Sequence, residues 1–289
     1  MRMLSFSVTV NASSYTTNMR FTRIYLLLVC SALIPACAIP GDAPWSDLHA
    51  NAYVAGFAPT LKASSTSINI PGDAGTELSG SFSLDSEKVY TSQYGARVGF
   101  APFELSVSQF SYSRDQTGLF SGDGTGQFGG GFAGDFAINS TLDIDTTKMM
   151  LGIDMLNTSV ARVGVLLGFD LLSFNKFSLT EESTGAIQNV LKEGQEVPVP
   201  IIGLRADVAI PGTDIRLGAE MTGISIDIDG IEASFFDHDI NLNMEIFENA
   251  EAVVGYRIVD INIDGDIDGT IINMDLSMSG PYFGVSVYF

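Results

Sequence analysis

The feature that most constrains this chain is a two-residue alternation of apolar and polar positions that returns strand after strand. In Ala161–Leu171 the odd positions are Ala161, Val163, Val165, Leu167, Phe169 and Leu171, against Arg162, Gly164, Leu166, Gly168 and Asp170. In Ile202–Ile210 one face holds Ile202, Leu204, Ala206, Val208 and Ile210; the other holds Gly203, Arg205, Asp207 and Ala209. Ile215, Leu217, Ala219 and Met221 oppose Arg216, Gly218 and Glu220, and Ile240, Leu242, Met244 and Ile246 oppose Asn241, Asn243 and Glu245. Two architectures carry this pattern. A soluble sandwich buries one face of each strand and wets the other. A membrane barrel turns its apolar face to lipid and its polar face inward.

The N-terminal segment favours the barrel. Met19–Ala38 has Arg20 and Arg23, then an apolar run from Ile24 to Ile34, then Ala36-Cys37-Ala38. This is the pattern of a secretory signal peptide, too short for a spanning helix. Residues 1–18 lack the pattern, and Met19 is an alternative start. Lipidation of Cys37 is the alternative to cleavage after Ala38, although Pro35 is unusual before such a cysteine. The expected organisation is therefore an extension and signal over 1–38 and one barrel over 39–289.

The connections also alternate in length. About ten strands (eight to twelve) are expected, near 50–62, 90–101, 103–114, 135–153, 159–175, 196–210, 213–228, 231–247, 250–264 and 268–289. Tight turns fall at 101–102, 156–158, 211–213 and 248–250. Long loops rich in Gly, Ser, Thr and acids are expected near 63–89, 115–134 and 176–195, with short acidic turns near 229–230 and 264–269. Short turns belong inside the envelope and long loops outside it. The expected fold is all-β: an antiparallel up-and-down transmembrane barrel. The alternation breaks near Gln109–Phe110 and Thr146–Lys148, where bulges are expected.

The chain ends Tyr282-Phe283-Gly284-Val285-Ser286-Val287-Tyr288-Phe289. Gly284, Val287 and Phe289 resemble the C-terminal assembly signal of bacterial outer-membrane barrels. Leu84-Asp85-Ser86-Glu87-Lys88, Pro198-Val199-Pro200 with Gly203, Gly255-Tyr256-Arg257 and Gly280-Pro281-Tyr282 extend the likeness. Over most of 48–289 the chain resembles a proteobacterial outer-membrane β-barrel family of unassigned function, OmpA-transmembrane-like and omptin-sized. The resemblance implies the outer membrane as location and a barrel as fold, but no activity. Outer-membrane lipid, lipopolysaccharide and the assembly machinery are the expected partners; nothing sets an oligomeric state.

Composition then locates the charge. The chain has 289 residues, 14 Lys+Arg against 34 Asp+Glu, a net charge of −20 and 46% hydrophobic residues. Its mean hydropathy is +0.25, which excludes an acidic disordered chain. No basic patch exists to neutralise phosphates, so nucleic acid is not an expected partner. Two Cys and two His exclude a zinc or disulfide scaffold. Loss of Arg2, Arg20 and Arg23 with residues 1–38 takes 14 basic residues to 11, leaving 34 acids and a net charge of −23. Five of the six remaining arginines, Arg97, Arg162, Arg205, Arg216 and Arg257, fall on lumen-facing positions. Glu104, Asp170, Asp207, Glu220, Glu245 and Glu251 are the lumen acids expected to pair with them, because unpaired buried charge is costly. The result expected is a closed lumen; a narrow charged pore is the alternative. Glycines beside the arginines make room for them.

The remaining candidates are weaker. Asp260-x-Asn262-x-Asp264-Gly265 opens like a calcium loop, but its twelfth position is Ile271 where a bidentate Glu is required. Asp227, Asp229, Asp260, Asp264, Asp266 and Asp268, with Asp143 and Asp145, form an acidic outer rim. It either binds Ca²⁺ or Mg²⁺ that bridges to lipopolysaccharide, or is a solvated charged edge. No other cofactor is expected. Asp237-His238-Asp239 is the one His–acid cluster. Barrel proteases of the omptin family use an Asp-x-His pair; here Phe236 stands two before His238, and alternation puts both acids on the face opposite the imidazole. The expected role is that of a structural or interaction protein of the envelope and not an enzyme, with a narrow pore or small-solute channel as the alternative and a surface-loop enzyme as the third.

Overall fold

The computed structural model describes residues 48–71, 77–84, 86–125, 133–182, 187–189, 194–228, 231–267 and 270–288. The signal segment, Asp229, Asp268 and Phe289 lie outside them. The strands are β1 Leu48–Phe57, β2 Thr60–Pro71, β3 Glu77–Leu84, β4 Glu87–Lys88, β5 Thr91–Phe100, β6 Phe103–Thr125 and β7 Ala133–Asn157. They continue as β8 Ala161–Glu181, β9 Ile187–Asn189, β10 Gln195–Ala209, β11 Ile215–Ile228, β12 Ile231–Phe247, β13 Ala250–Ile267 and β14 Thr270–Tyr288.

Antiparallel ladders run β1–β5–β6–β7–β8–β10–β11–β12–β13–β14, and β14 closes on β1 from Asn51↔Tyr288 to Phe57↔Tyr282. The ring therefore has ten staves. β2 continues the stave of β1 outward along β14, and β3 continues that of β5 along β6. Closure leaves no free edge at this level, the condition a sheet must meet to cross a bilayer. Turns at Ala101-Pro102, 158–160, 210–214 and 248–249 mark the inner end. Thr158 and Thr213 tie two of these turns through their hydroxyls: Thr158 Oγ1 donates to Ala161 O at 2.9 Å and Thr213 Oγ1 to Ile210 O at 2.9 Å.

The stretches expected as long outer loops are mostly strand. Thr60–Pro71 and Glu77–Leu84 pair with each other. β6 and β7 stay in register from Phe103↔Ile153 to Asp123↔Ala133. β8 runs on to Glu181. These segments are rich in Ser, Thr, Gly and Asp because one face meets water, not because the chain turns.

Nor is there a bulge at Gln109–Phe110 or Thr146–Lys148, where the β6–β7 register is continuous. What changes there is polarity. Along β7 the outward residues Met155, Ile153, Leu151 and Met149 give way to Thr147, Asp145 and Asp143, while the inward residues pass from Lys148 to Thr146, Ile144 and Leu142. β6 changes between Ser108 and Gln109, and β13 between Ile258 and Val259. Both faces reverse at one level because the outer medium changes there from hydrocarbon to water. The β7–β8 ladder is irregular instead at Asn175 of β8, beside Asp143/Ile144 and further out, and at Met155 of β7 near the inner end. Asn175 Nδ2 donates to Asp143 Oδ1 at 3.1 Å and Asp145 Oδ2 at 2.9 Å.

Below the reversal an apolar belt faces out. Leu105, Leu151, Leu167, Leu204, Leu217, Leu242, Val254 and Phe283 are all exposed large hydrophobics on it. Phe100, Phe103 and Phe247 are exposed at the inner rim, at 65%, 52% and 74%, where an aromatic girdle belongs.

Candidate functional site

The lumen is the candidate site, and it has two layers. The inner layer is charged. Glu104 on β6 accepts from Arg162 Nη1 at 2.6 Å and from Arg205 Nη1, with His49 Nε2 2.9 Å away. Arg162 also reaches Asp207 at 2.8 Å, and Arg205 reaches Asp154 at 2.6 Å. Higher in the ring, Asp237 on β12 accepts Lys148 Nζ at 2.8 Å and Arg257 through Nε at 2.9 Å and Nη2 at 2.7 Å. Lys148 spans to Glu220 at 2.6 Å, and Arg97 lies 3.6 Å from the same carboxylate. Arg216 pairs with Glu251. Glu104, Glu220 and Asp237 are each shared between cations from different staves, so the pairs cross-link the wall from inside. The planar guanidinium fork suits this bridging.

The ring therefore brings together Arg97, Glu104, Arg162, Arg205, Asp207, Arg216, Glu220, Glu251 and Arg257. Two expected members stand apart. Asp170 is buried on the lumen face, registered with Lys148, but makes no ion pair among the described residues, and its Oδ1 has no hydrogen-bond partner. Glu245 is exposed at the inner end, registered with the like-charged Glu251. It lies past the wall that would bury it and joins no pair among the described residues.

Sequence reasoning missed His49, Lys148, Asp154 and Asp237. His49 lies inside β1, not ahead of it. Lys148 and Asp154 share the even-numbered face of β7 with Gly152, and the expected slip at Thr146–Lys148 hid that parity. Asp237 and Asp239 do point away from His238; the acids enter the lumen while His238 stacks outward on Phe236, rings 6.4 Å apart and 3° from parallel. Asp239 accepts from Tyr282 Oη at 2.9 Å and from Asn241 at 2.7 Å. Glycine is needed where a side chain crosses the wall. A Cβ on Gly255 would lie 2.3 Å from the Tyr282 ring, and one on Gly152 would lie 2.7 Å from the Arg205 guanidinium.

A cavity of about 100 Å³ remains in the inner half, lined among others by His49, Tyr53, Arg97, Glu220, Asp239 and Arg257. Above it the lumen is apolar. Phe57, Leu61, Phe82, Phe110, Tyr112, Phe120, Leu142, Ile144, Phe174, Phe177, Ile261 and Met278 are all buried in one cluster. Phe57 meets Phe110 edge-to-face at 5.4 Å, and Arg257 Cζ sits 4.7 Å over the Phe110 ring. That cation–π contact joins the two layers.

The acidic rim is on the outward face above the belt. Asp260 accepts from Ser277 Oγ at 2.6 Å and Asp264 from Asn273 Nδ2 at 2.6 Å. No group of three or more His, Cys, Asp or Glu among the described residues is placed to hold a metal ion. Gly284 and Val287 of the terminal motif lie on β14, with Gly284 facing in against β1 and Val287 exposed to lipid.

No protein-family model matches the sequence, and no curated protein matches it. Solved structures do. Outer membrane protease OmpT from Escherichia coli aligns at 10% identity and TM-score 0.47, covering 88% of this chain and all of that one. Outer membrane protein OprG from Pseudomonas aeruginosa aligns at 12% identity and TM-score 0.35, covering 86% and 99%. Neisserial surface protein A aligns at 14% identity and TM-score 0.31, covering 82% and 97%. Their activities belong to those proteins.

A closed, ten-stranded, antiparallel ring with a lipid-facing belt and a charged lumen defines the class. The chain is an integral β-barrel of the bacterial outer membrane, with buried salt bridges across its lumen.

Proposed function

We propose that this barrel neither conducts nor catalyses, and that it serves the cell envelope as a structural and interaction protein. The observation that carries the reading is the apolar layer packed across the lumen above the charged one. An ion leaving the cavity at Arg257 would meet Phe110, packed under the guanidinium, and Phe57 edge-on against it. The acids of the Asp-His-Asp cluster face away from the imidazole, which leaves no catalytic dyad there. The polar outward surface above the belt is the part that meets partners, with lipopolysaccharide and outer-membrane lipid around it and the assembly machinery reading its C-terminal strand.

The second reading is a narrow pore, favoured by the 100 Å³ polar cavity in the inner half. Planar-bilayer recording of the refolded barrel separates the two. A closed lumen gives a flat baseline at all applied voltages. Discrete ohmic steps would overturn the closed reading and support the pore.

A further inference from the structure

The β10–β11 ladder ends at Ile202↔Gly223, although both strands continue outward. β10 stays paired with β8 up to Gln195↔Phe174, and β11 stays paired with β12 up to Ile228↔Ile231. No pair joins Val197–Ile201 to Ile224–Ile228. The cause is in the sequence. Pro198 and Pro200 have no N–H. Along a strand, alternate residues direct their N–H groups to opposite neighbours. The β8 ladder persists through both prolines, so the two missing donors face β11. Two consecutive rungs are absent, and the sheet splits.

The seam starts where the lipid belt stops. Ile202 and Met221 are exposed at 62% and 56% on the outward face just below it, and Pro198 and Pro200 continue that apolar lip outward. Of the inward side chains, Ile201 is 1% exposed at the base of the seam, while Val197, Val199 and Ile224 pack on the apolar cluster but are only partly buried. Neighbouring inward residues on other staves, Phe174, Phe235 and Ile261, are 2–3% exposed. The apolar layer is thus less covered along this line than at those residues, and at its lower end the line runs into the lipid belt at Ile202 and Met221. An added peptide strand would need a donor-bearing edge on each side; the prolines blunt the β10 edge. An apolar chain needs no such edge.

We infer that the split between β10 and β11 is a lateral site for one acyl chain of the surrounding lipid, lodged against Val197, Val199, Ile201 and Ile224. The chain enters from the membrane side and stays above the charged layer, so the site does not depend on whether the lumen conducts.

The test uses the full refolded barrel in vesicles of phosphatidylethanolamine and phosphatidylglycerol, with a trace of a diazirine-bearing fatty acid as the photoprobe. The wild-type chain is expected to carry adducts on 195–201 and 222–228. Pro198→Val with Pro200→Val restores the donors. Seam adducts should then fall about tenfold, the shift in opening that two restored ladder hydrogen bonds bring. Belt adducts should not change, and amide exchange at Ser225 and Asp227, whose N–H groups face β10, should slow. If that variant does not fold, Ile201→Cys with Ile224→Cys closes the seam reversibly by oxidation; both native cysteines, Cys30 and Cys37, lie in the signal segment. Adducts equal in open and closed forms would overturn the site. So would wild-type adducts confined to the belt, or protection of the seam by an extended peptide without fatty-acid adducts.

Discussion

Asp237→Asn is the perturbation that most directly tests the charged layer. The carboxylate is fully buried and accepts three charge-assisted hydrogen bonds, one from Lys148 and two from Arg257. At about 1.5–3 kcal/mol each, their gross worth is roughly 4.5–9 kcal/mol. Asn keeps the shape and one acceptor oxygen, and it relieves the desolvation of a carboxylate, which returns several kcal/mol. Lys148 still has Glu220 at 2.6 Å. Arg257 loses the one carboxylate it bonds and stays buried, against Phe110. The net cost should therefore be that of an uncompensated buried cation, about 3–5 kcal/mol. Asp237→Leu combined with Arg257→Leu removes both charges, so it should lie much nearer wild type than Asp237→Asn does. Urea titration of vesicle-refolded barrel, read by the folded-to-unfolded shift in gel mobility, measures all three. If Asp237→Asn stays within about 1 kcal/mol of wild type, or the double variant is less stable than Asp237→Asn, the network does not hold the wall.

Two further outcomes follow from the reversal of polarity. On the outward face of β7, Leu151→Lys should cost about 2–4 kcal/mol in vesicles, whereas Thr147→Lys, four residues further out, should cost about 0–1 kcal/mol; equal costs would place the membrane boundary elsewhere. Phe110→Ala removes a side chain 1% exposed at the junction of the layers, and urea titration should report a loss of about 3–5 kcal/mol.

The strand count, the inner turns and the lumen arginines were legible because a barrel repeats one local rule. Side chains alternate, so parity alone assigns Arg97, Arg162, Arg205, Arg216 and Arg257 to the inside. The sixth arginine, Arg114, is the exception: it shares the inward parity of Phe110 and Tyr112 on β6 and the register of buried Leu142, yet it is exposed. Two things were less legible. Ser79-Gly80-Ser81-Phe82-Ser83-Leu84 looks like loop by composition, yet Phe82 and Leu84 alternate inward and are buried. Composition averages two faces that meet different solvents, and only the alternation separates them. The pairing of acids with cations was the harder part, since it depends on which staves face each other across the ring. Asp237 and Lys148 are 89 residues apart and on staves that do not touch. Glu245 failed for a related reason: parity gives the face of a residue but not whether the wall extends far enough to bury it.

The reversal also explains why one strand can serve two environments without a break. In the belt, lipid solvates apolar side chains outside, so the hydrophobic effect gives no reason to fill the lumen with them, and charge can occupy it at the cost of pairing. Above the belt, water wets the outer face and the same staves hold together only if the inner face buries apolar area, about 1.5–3 kcal/mol for each large side chain. Phe57, Phe110, Phe120 and Phe177 therefore sit where the protein behaves as a soluble β-structure, and Glu104, Asp237 and their cations sit where it does not. If the lumen is closed as proposed, it is closed twice, by mechanisms that fail under different conditions. Removal of charge pairs loosens the inner layer, and loss of apolar volume loosens the outer one. Neither change alone opens a continuous path, so conductance should require both Phe110→Ala and Asp237→Asn in one chain.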